Sequence, residues 1–304
     1  MEKLRTLVAA NAALRNRNRE LLEEAGDTDR LVREGEHLYV NKPTLRGDEN
    51  VTWSFEEYGH PGLQLYYIRL KSWQRFTETY ALLERANLRG LFDLHPTPPE
   101  GRPLRVASLG GGPGYELLAL KEFFLAERGL DPAQLELFNT DVQPTWRGYS
   151  EALGFNFRQC DIFKDDLRDV CGAGEIDYVV ISYVLIYVAK IPGHPDHERV
   201  CDMLRDLLTS GVRAILVSER SEETTCCGMM ERRGVKVERL IDQSLGKDER
   251  QTVFLAPGSA LPKPPPPREE NGPCLTYPNV PFEEHKIRRG GAAGAGGSQT
   301  KYYV

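Results

Sequence analysis

Apolar residues recur with helical spacing along the first third of the chain and in a strand-then-helix rhythm from about residue 103 onward. Residues 1 to 25 read as a helix that Gly26 stops. Leu7, Leu14 and Leu21 fall seven apart, with Leu4, Asn11 and Asn18 at the companion heptad position. Such a pattern permits a short coiled coil with a partner. Roughly three repeats are the lower limit for that, and two buried Asn would weaken the seam, so a single amphipathic helix lying on the body of the same chain is the expectation. Arg15, Arg17 and Arg19 read as its solvated face. Residues 27 to 100 combine a polar stretch with a second helix. Leu65 to Arg89 holds Leu65, Ile68, Trp73, Phe76, Tyr80, Leu82 and Leu83 with no internal Gly or Pro, which predicts an amphipathic helix with its aromatics in the core. Pro61-Gly62 mark its start, Gly90 its end, and residues 95–99 a turn-rich linker.

Beyond this point the pattern predicts strands at Arg105–Leu109, Leu135–Thr140, Asn156–Gln159, Tyr178–Ser182, Ala214–Ser218, Val235–Leu240 and Thr252–Leu255, most of them separated by helical segments. That alternation implies an α/β doubly wound, mainly parallel seven-stranded sheet, Rossmann-like, covered on both faces. The last two strands are joined only by residues 241–251, a connection that suits an antiparallel final strand. After Pro257 the composition changes. Pro264 to Pro267 are consecutive and 290–297 is rich in Gly and Ala, so a disordered tail is expected. The organisation is then a helical N-terminal extension (1–100), an α/β domain (101–257) and a tail (258–304).

Hydrophobic residues at 40% and charged residues at 28% suit a globular chain with a sizeable core. A net charge of -6 disfavours bulk nucleic-acid affinity, which needs clustered positive charge. No apolar run approaches the ~20 residues that span a bilayer, and the start of the chain lacks the apolar segment of a signal peptide, so no membrane association and a cytoplasmic or nuclear location are expected. The six cysteines form no C-x-x-C pair and read as reduced, mostly packed thiols. His194-Pro-Asp-His197 with Cys201 invites a metal reading, but it lacks a second Cys pair or a helical H-E-x-x-H, and no metal is expected. Arg232-Arg233-Gly-Val-Lys236 reads as a solvated loop.

The chemistry concentrates at Ser108-Leu109-Gly110-Gly111-Gly112-Pro113-Gly114, where an apolar strand runs into a glycine loop and then an apolar helix. Glycine permits the sharp turn and a close approach of backbone to ligand. A dinucleotide fingerprint started at Gly110 would need its third glycine where Tyr115 stands, and no P-loop pattern is present. The spacing of Gly110, Gly112 and Gly114 resembles the first motif of class I S-adenosylmethionine-dependent methyltransferases. Asp141, at the end of the next strand with Val142 after it, resembles the second motif, where a carboxylate accepts both hydroxyls of the ribose. Asp161 and Ile162 match the region that meets the adenine. Ser182 and Tyr183, after the fourth strand, match the region beside the methyl group.

This resemblance covers residues 103 to 257, about half the chain, and implies methyl transfer from S-adenosylmethionine to an acceptor that the sequence does not name. Tyr183, Tyr187 and His194 are the candidate bases, should the acceptor have to lose a proton. The segment from Gly114 to Asp141 is longer than usual in the family, and no Asn-Pro-Pro-[Tyr/Phe] follows strand four. A nicotinamide-dependent oxidoreductase and a non-catalytic interaction module, contacting a protein partner through the N-terminal helix or Pro-rich tail, are the alternatives.

Overall fold

In a computed structural model of the chain, residues 2–42, 53–172, 174–190, 197–219, 223–241 and 250–262 are described. The helices are α1 (Glu2–Glu24), α2 (Thr28–Val40), α3 (Phe55–Tyr58), α4 (Pro61–Leu88), α5 (Tyr115–Glu127), α6 (Arg147–Ala152), α7 (Leu167–Cys171), α8 (Leu185–Lys190), α9 (His197–Thr209) and α10 (Glu223–Arg232). The strands are β1 (Leu104–Leu109), β2 (Leu135–Asp141), β3 (Asn156–Gln159), β4 (Tyr178–Ser182), β5 (Ala214–Glu219), β6 (Lys236–Ile241) and β7 (Arg250–Leu255). Every strand expected from the hydrophobic pattern is present, with ends that move by one or two residues. Residues 264–267, 290–297 and 194–196 lie outside the described residues, as does the His197 side chain.

The seven strands form one sheet in the order β3-β2-β1-β4-β5-β7-β6. β1 pairs in parallel with β2 and β4, β2 with β3, and β4 with β5, while β7 runs antiparallel between β5 and β6. The doubly wound sheet with an antiparallel last strand is therefore as expected. The strand order reverses between β1 and β4. In open α/β sheets the crevice beyond the carboxyl ends at such a switch point is where ligands sit.

Both faces of the sheet are buried, and side chains alternate between them. Leu104, Val106, Tyr178, Val180, Ala214, Leu216 and Val253 join the core formed with α1, α4 and α5. Ala107, Leu109, Val179, Ile181, Ile215, Val217 and Phe254 join the core on the side of α7, α9 and α10. Phe92, Phe123, Phe124 and Tyr178 pack edge to face or tilted at centroid separations of 5.2 to 6.4 Å. All four are fully buried.

α1 lies on the same chain, with Leu7, Ala10 and Leu14 in the sheet's own core. The two heptad-position asparagines bond into the fold, although the Asn18 Oδ1 is buried without a partner. Asn18 donates to the Tyr149 hydroxyl at 2.7 Å and the Pro61 carbonyl at 2.9 Å. Asn11 donates to Ser72 and accepts from the Tyr115 hydroxyl at 2.7 Å. α4 begins at Pro61, where the sequence marked its start, because Pro suits the first helical position. Its aromatics are not all core. Trp73 is 56% exposed, whereas Phe76 and Tyr80 are buried. The polar stretch after Gly26 contains a helix the sequence reading passed over. α2 is capped by the Asp27 side chain, and Gly35 lies in direct contact with the backbone of Gly62 on α4. The absence of side chains at these two positions brings the helices backbone to backbone. Residues Met1–Pro262 form one compact unit.

Candidate active site

The glycine loop leaves β1 at the switch point. Gly110, Gly112 and Gly114 have φ of +69°, +50° and +100°, the left-handed region that glycine alone enters without strain. Gly111 is held for a different reason. A Cβ there would run into the Asn139 side chain and come within 2.6 Å of the Ser108 hydroxyl. The loop is tied to β2 by three bonds. Gly111 N–H donates to the Thr140 carbonyl at 2.9 Å, Asn139 Nδ2 donates to the Gly112 carbonyl at 2.8 Å, and Gly112 N–H donates to the Asp141 carboxylate at 2.9 Å.

Asp141 is 4% exposed, and its second oxygen accepts Gln143 N–H at 2.9 Å. Burial raises its pKa to about 6 against the pull of these two backbone donors. Val142 beside it is 40% exposed. Asp161 follows from the pairing of β2 with β3. Asp141 stands opposite Gln159, and the Asp141 carbonyl accepts Cys160 N–H at 3.0 Å. Asp161 closes its own turn, one oxygen accepting Phe163 N–H at 3.0 Å and the other paired with Lys164 at 2.8 Å. Ile162 is half-buried against the core on the α7 side.

The β4 exit completes the edge. Val184 touches Gly110, so Ser182 and Tyr183 stand beside the loop. Ser182 and Ser218 are register partners on β4 and β5, on the same sheet face as Ser108. All three hydroxyls are buried without a hydrogen-bond partner. Buried orphaned hydroxyls cost about 1–3 kcal/mol each, a burden that concentrates at sites made for a ligand. Tyr183 has φ +58°, a conformation no other described non-glycine residue adopts, and its N–H donates to the Ser218 carbonyl. Strain of this kind, on the order of 1–3 kcal/mol, clusters at functional sites. The Tyr183 hydroxyl donates to Glu78 at 3.0 Å and accepts from Gln74 at 3.1 Å, and its ring lies 3.7 Å under the Arg75 guanidinium.

α3 and α4 roof this edge, and they bring residues the sequence reading did not single out. The Tyr58 hydroxyl lies over Gly112, and its ring packs on Tyr67 and Trp146 at 6.3 and 5.6 Å. Gln143 latches α3 by donating to the Phe55 carbonyl at 2.6 Å. Arg75 donates to the Tyr67 hydroxyl at 3.4 Å, while its Nη1 is buried without a partner. Burial opposes its charge, but Tyr67, Glu116, Tyr183 and Glu78 around it outweigh that and hold the guanidinium protonated. Glu116, in the first turn of α5, is 4% exposed, and burial lifts its carboxyl to about 7 despite Arg75 nearby. Burial also raises the phenols of Tyr58 and Tyr67. Tyr187 is half-buried, within electrostatic reach of both phenols.

Glu116 was visible two residues after the last glycine, but an acid in a first helical turn is ordinary and signals nothing by itself. Arg75 gave no signal at all, since a charge in a helical pattern is read as solvent-facing. The basic run at 232–236 is a structural feature. Arg233 pairs with Asp202 at 2.8 Å and with Glu198.

No family model matches the chain, and no curated protein matches it in sequence. Solved structures do match. A methyltransferase from Pyrococcus furiosus is 14% identical over 51% of this chain and 77% of its own, with a TM-score of 0.36. Magnesium protoporphyrin IX methyltransferase from Synechocystis, solved with bound SAM, is 14% identical over 70% of this chain and 88% of its own, at 0.38. The bifunctional kinase-methyltransferase WbdD is 18% identical over 60% of this chain and 38% of its own, also at 0.38.

Proposed function

We propose that the chain is an S-adenosylmethionine-dependent methyltransferase. The observation that supports this most directly is a pair of buried carboxyls, Asp141 and Glu116, flanking the glycine loop. A nicotinamide dinucleotide would lay its pyrophosphate on the loop and the N-terminus of the helix that follows. Here that place carries Glu116 in the first turn of α5. Two carboxyls beside a diphosphate repel it with little solvent to screen them. A nucleoside whose tail carries a sulfonium and an ammonium meets them favourably. The oxidoreductase alternative is disfavoured on this ground.

The residues present fit the cofactor. Asp141 offers a carboxylate to a ribose diol, Val142 an exposed apolar surface for a purine, and Asp161 an acceptor for an exocyclic amine. The glycines let the backbone approach. Ser182, Tyr183 and the roof of α4 exclude water at the opposite end. When bound, the cofactor supplies an electrophilic methyl group that leaves with its sulfur's electron pair staying on the thioether. The protein's part is alignment and desolvation. Tyr183, held by Glu78 and Gln74, is placed to orient an acceptor or take its proton.

Titration calorimetry with S-adenosylhomocysteine, with NAD as control, tests the proposal. Binding of the first and not the second is expected. Binding of NAD alone, or of neither, overturns it.

A further inference from the structure

α4 departs from the rest of the chain in both charge and exposure. From Pro61 to Thr77 it carries Arg69, Lys71 and Arg75 and no acid, in a chain whose net charge is -6. The first acid, Glu78, is turned to the Tyr183 hydroxyl at 3.0 Å. On the outer face of the same stretch Leu70 is 50% and Trp73 56% exposed, and Arg69 is exposed one turn before Trp73. A helix lying on a sheet turns its large apolar residues inward, and Phe76 and Tyr80 do so. Trp73 is left in water, on a helix face that carries cations.

The strip continues away from Trp73 as a train of rings and cations. The Arg69 guanidinium lies 5.9 Å from the Tyr66 ring, Tyr66 lies 6.2 Å from Tyr39 on α2, Tyr39 lies 5.6 Å from Trp53, and the Lys42 ammonium sits 4.3 Å over Trp53. One acid, Glu36 on α2, faces the Tyr66 hydroxyl. From Tyr66 to Trp73 the strip covers about 10 Å of helix. It ends at the rim of the site, because Leu70 stands one turn before Gln74, which donates to the Tyr183 hydroxyl at 3.1 Å.

Cations without acids call for an anion, and flat rings set among them call for flat partners. Single-stranded nucleic acid offers both in alternation, phosphates between bases whose faces are free to stack. A duplex hides those faces. An acidic peptide would pair with the cations and leave the rings unused. A bilayer surface needs a broad apolar level, whereas Tyr39 and Tyr66 are half-buried and Trp53 is buried. We propose that the outer face of α4 from Tyr66 to Trp73, extended by Lys42, is a docking surface for single-stranded nucleic acid that brings the strand to the edge of the site. The acidic balance of the chain confines such binding to this strip. The surface goes beyond the cofactor reading and does not depend on it.

Fluorescence anisotropy with a labelled oligouridylate of about 15 nucleotides, long enough for a site of this kind, tests the proposal on the full chain and on W73A and R69Q. Both substitutions fall on exposed side chains, so the fold and the affinity for S-adenosylhomocysteine should stay as they are. The native protein should bind the single strand at least about 10-fold more tightly than the same strand annealed to oligoadenylate. W73A should weaken the strand by about 5- to 100-fold, the range of one stacked base. R69Q should reduce the slope of log affinity against log salt by about 0.7, the loss of one phosphate contact on a single strand. Failure of the native protein to bind the strand, equal binding of the duplex, unchanged affinity in W73A or an unchanged salt slope in R69Q would each overturn the docking surface. Preference for vesicles of anionic phospholipid over the strand would overturn it as well. Calorimetry with S-adenosylhomocysteine on the same preparations decides the cofactor reading separately, so either can fail without the other.

Discussion

Asp141 and Glu116 work against folding at neutral pH in order to be where they are. Each is 4% exposed, and each has its pKa raised, Asp141 from 3.8 to about 6 and Glu116 from 4.5 to about 7, with burial the largest cause in both. The folded state therefore holds protons that the unfolded chain releases. Stability tied to these groups is complete below about pH 4 and is lost as pH rises through 6 to 7, on the order of 3 kcal/mol for Glu116. E116Q should thus melt higher than the parent at pH 8, and the difference should shrink most of the way to zero by pH 5. Equal melting temperatures across that range would show that the carboxyl is not desolvated. The groups facing Glu116 are Arg75, Glu78 and Asp141, and none of them reverses the sign. Binding has the opposite sign. A ribose diol needs the ionised form of Asp141, so affinity for S-adenosylhomocysteine should fall as pH drops through about 6. D141N should lose at least about 30-fold at pH 8, consistent with a charge-assisted bond of roughly 2 kcal/mol. Retained affinity in D141N would remove Asp141 from the site.

α2 and α4 meet through glycine. In an isolated helix Gly35→Ala would gain about 1 kcal/mol. Here the added Cβ would meet the backbone of Gly62, which cannot yield as a flexible side chain would. Overpacking of this kind costs about 1–3 kcal/mol, so the clash wins and G35A should lower the urea midpoint. A rise would mean that α2 rests loosely on α4. The effect should also reach the site, because α4 carries Arg75, Gln74 and Glu78 over the sheet edge. G35A is therefore expected to weaken S-adenosylhomocysteine binding while touching no residue that contacts the loop. In the sheet, the glycine loop, the β2 end and the β4 exit come together through main-chain pairing, so the elements themselves set the positions of Asp141 and Tyr183.

At the scale of the molecule, α1 and α4 share one core with the sheet, and Met1–Pro262 is one compact unit. Unfolding of that unit should be a single transition. S-adenosylhomocysteine at a hundredfold excess over its dissociation constant should raise stability by about 2.7 kcal/mol, and NAD should not. Two separate transitions, with only one moved by ligand, would show that the helices melt apart from the sheet. The seven strands in order, the mainly parallel sheet and its antiparallel last strand were legible in the sequence. A strand buried on both faces leaves a short apolar run, and a helix leaves a longer periodic one, whatever they later pack against. The loop was legible too, because left-handed backbone demands glycine, and so was Asp141, because it ends the next strand. What the sequence left open was which polar residues go inside. α2 looked like a polar stretch, Trp73 looked like core, and Arg75 looked like solvent-facing helix. Only the tertiary structure, by crossing α4 over the carboxyl edge of the sheet, turned one face of that helix toward the loop and left Trp73 outside. Burial of a charge depends on contacts far apart along the chain, such as Tyr183 with Arg75 and Glu78, and no local pattern encodes them.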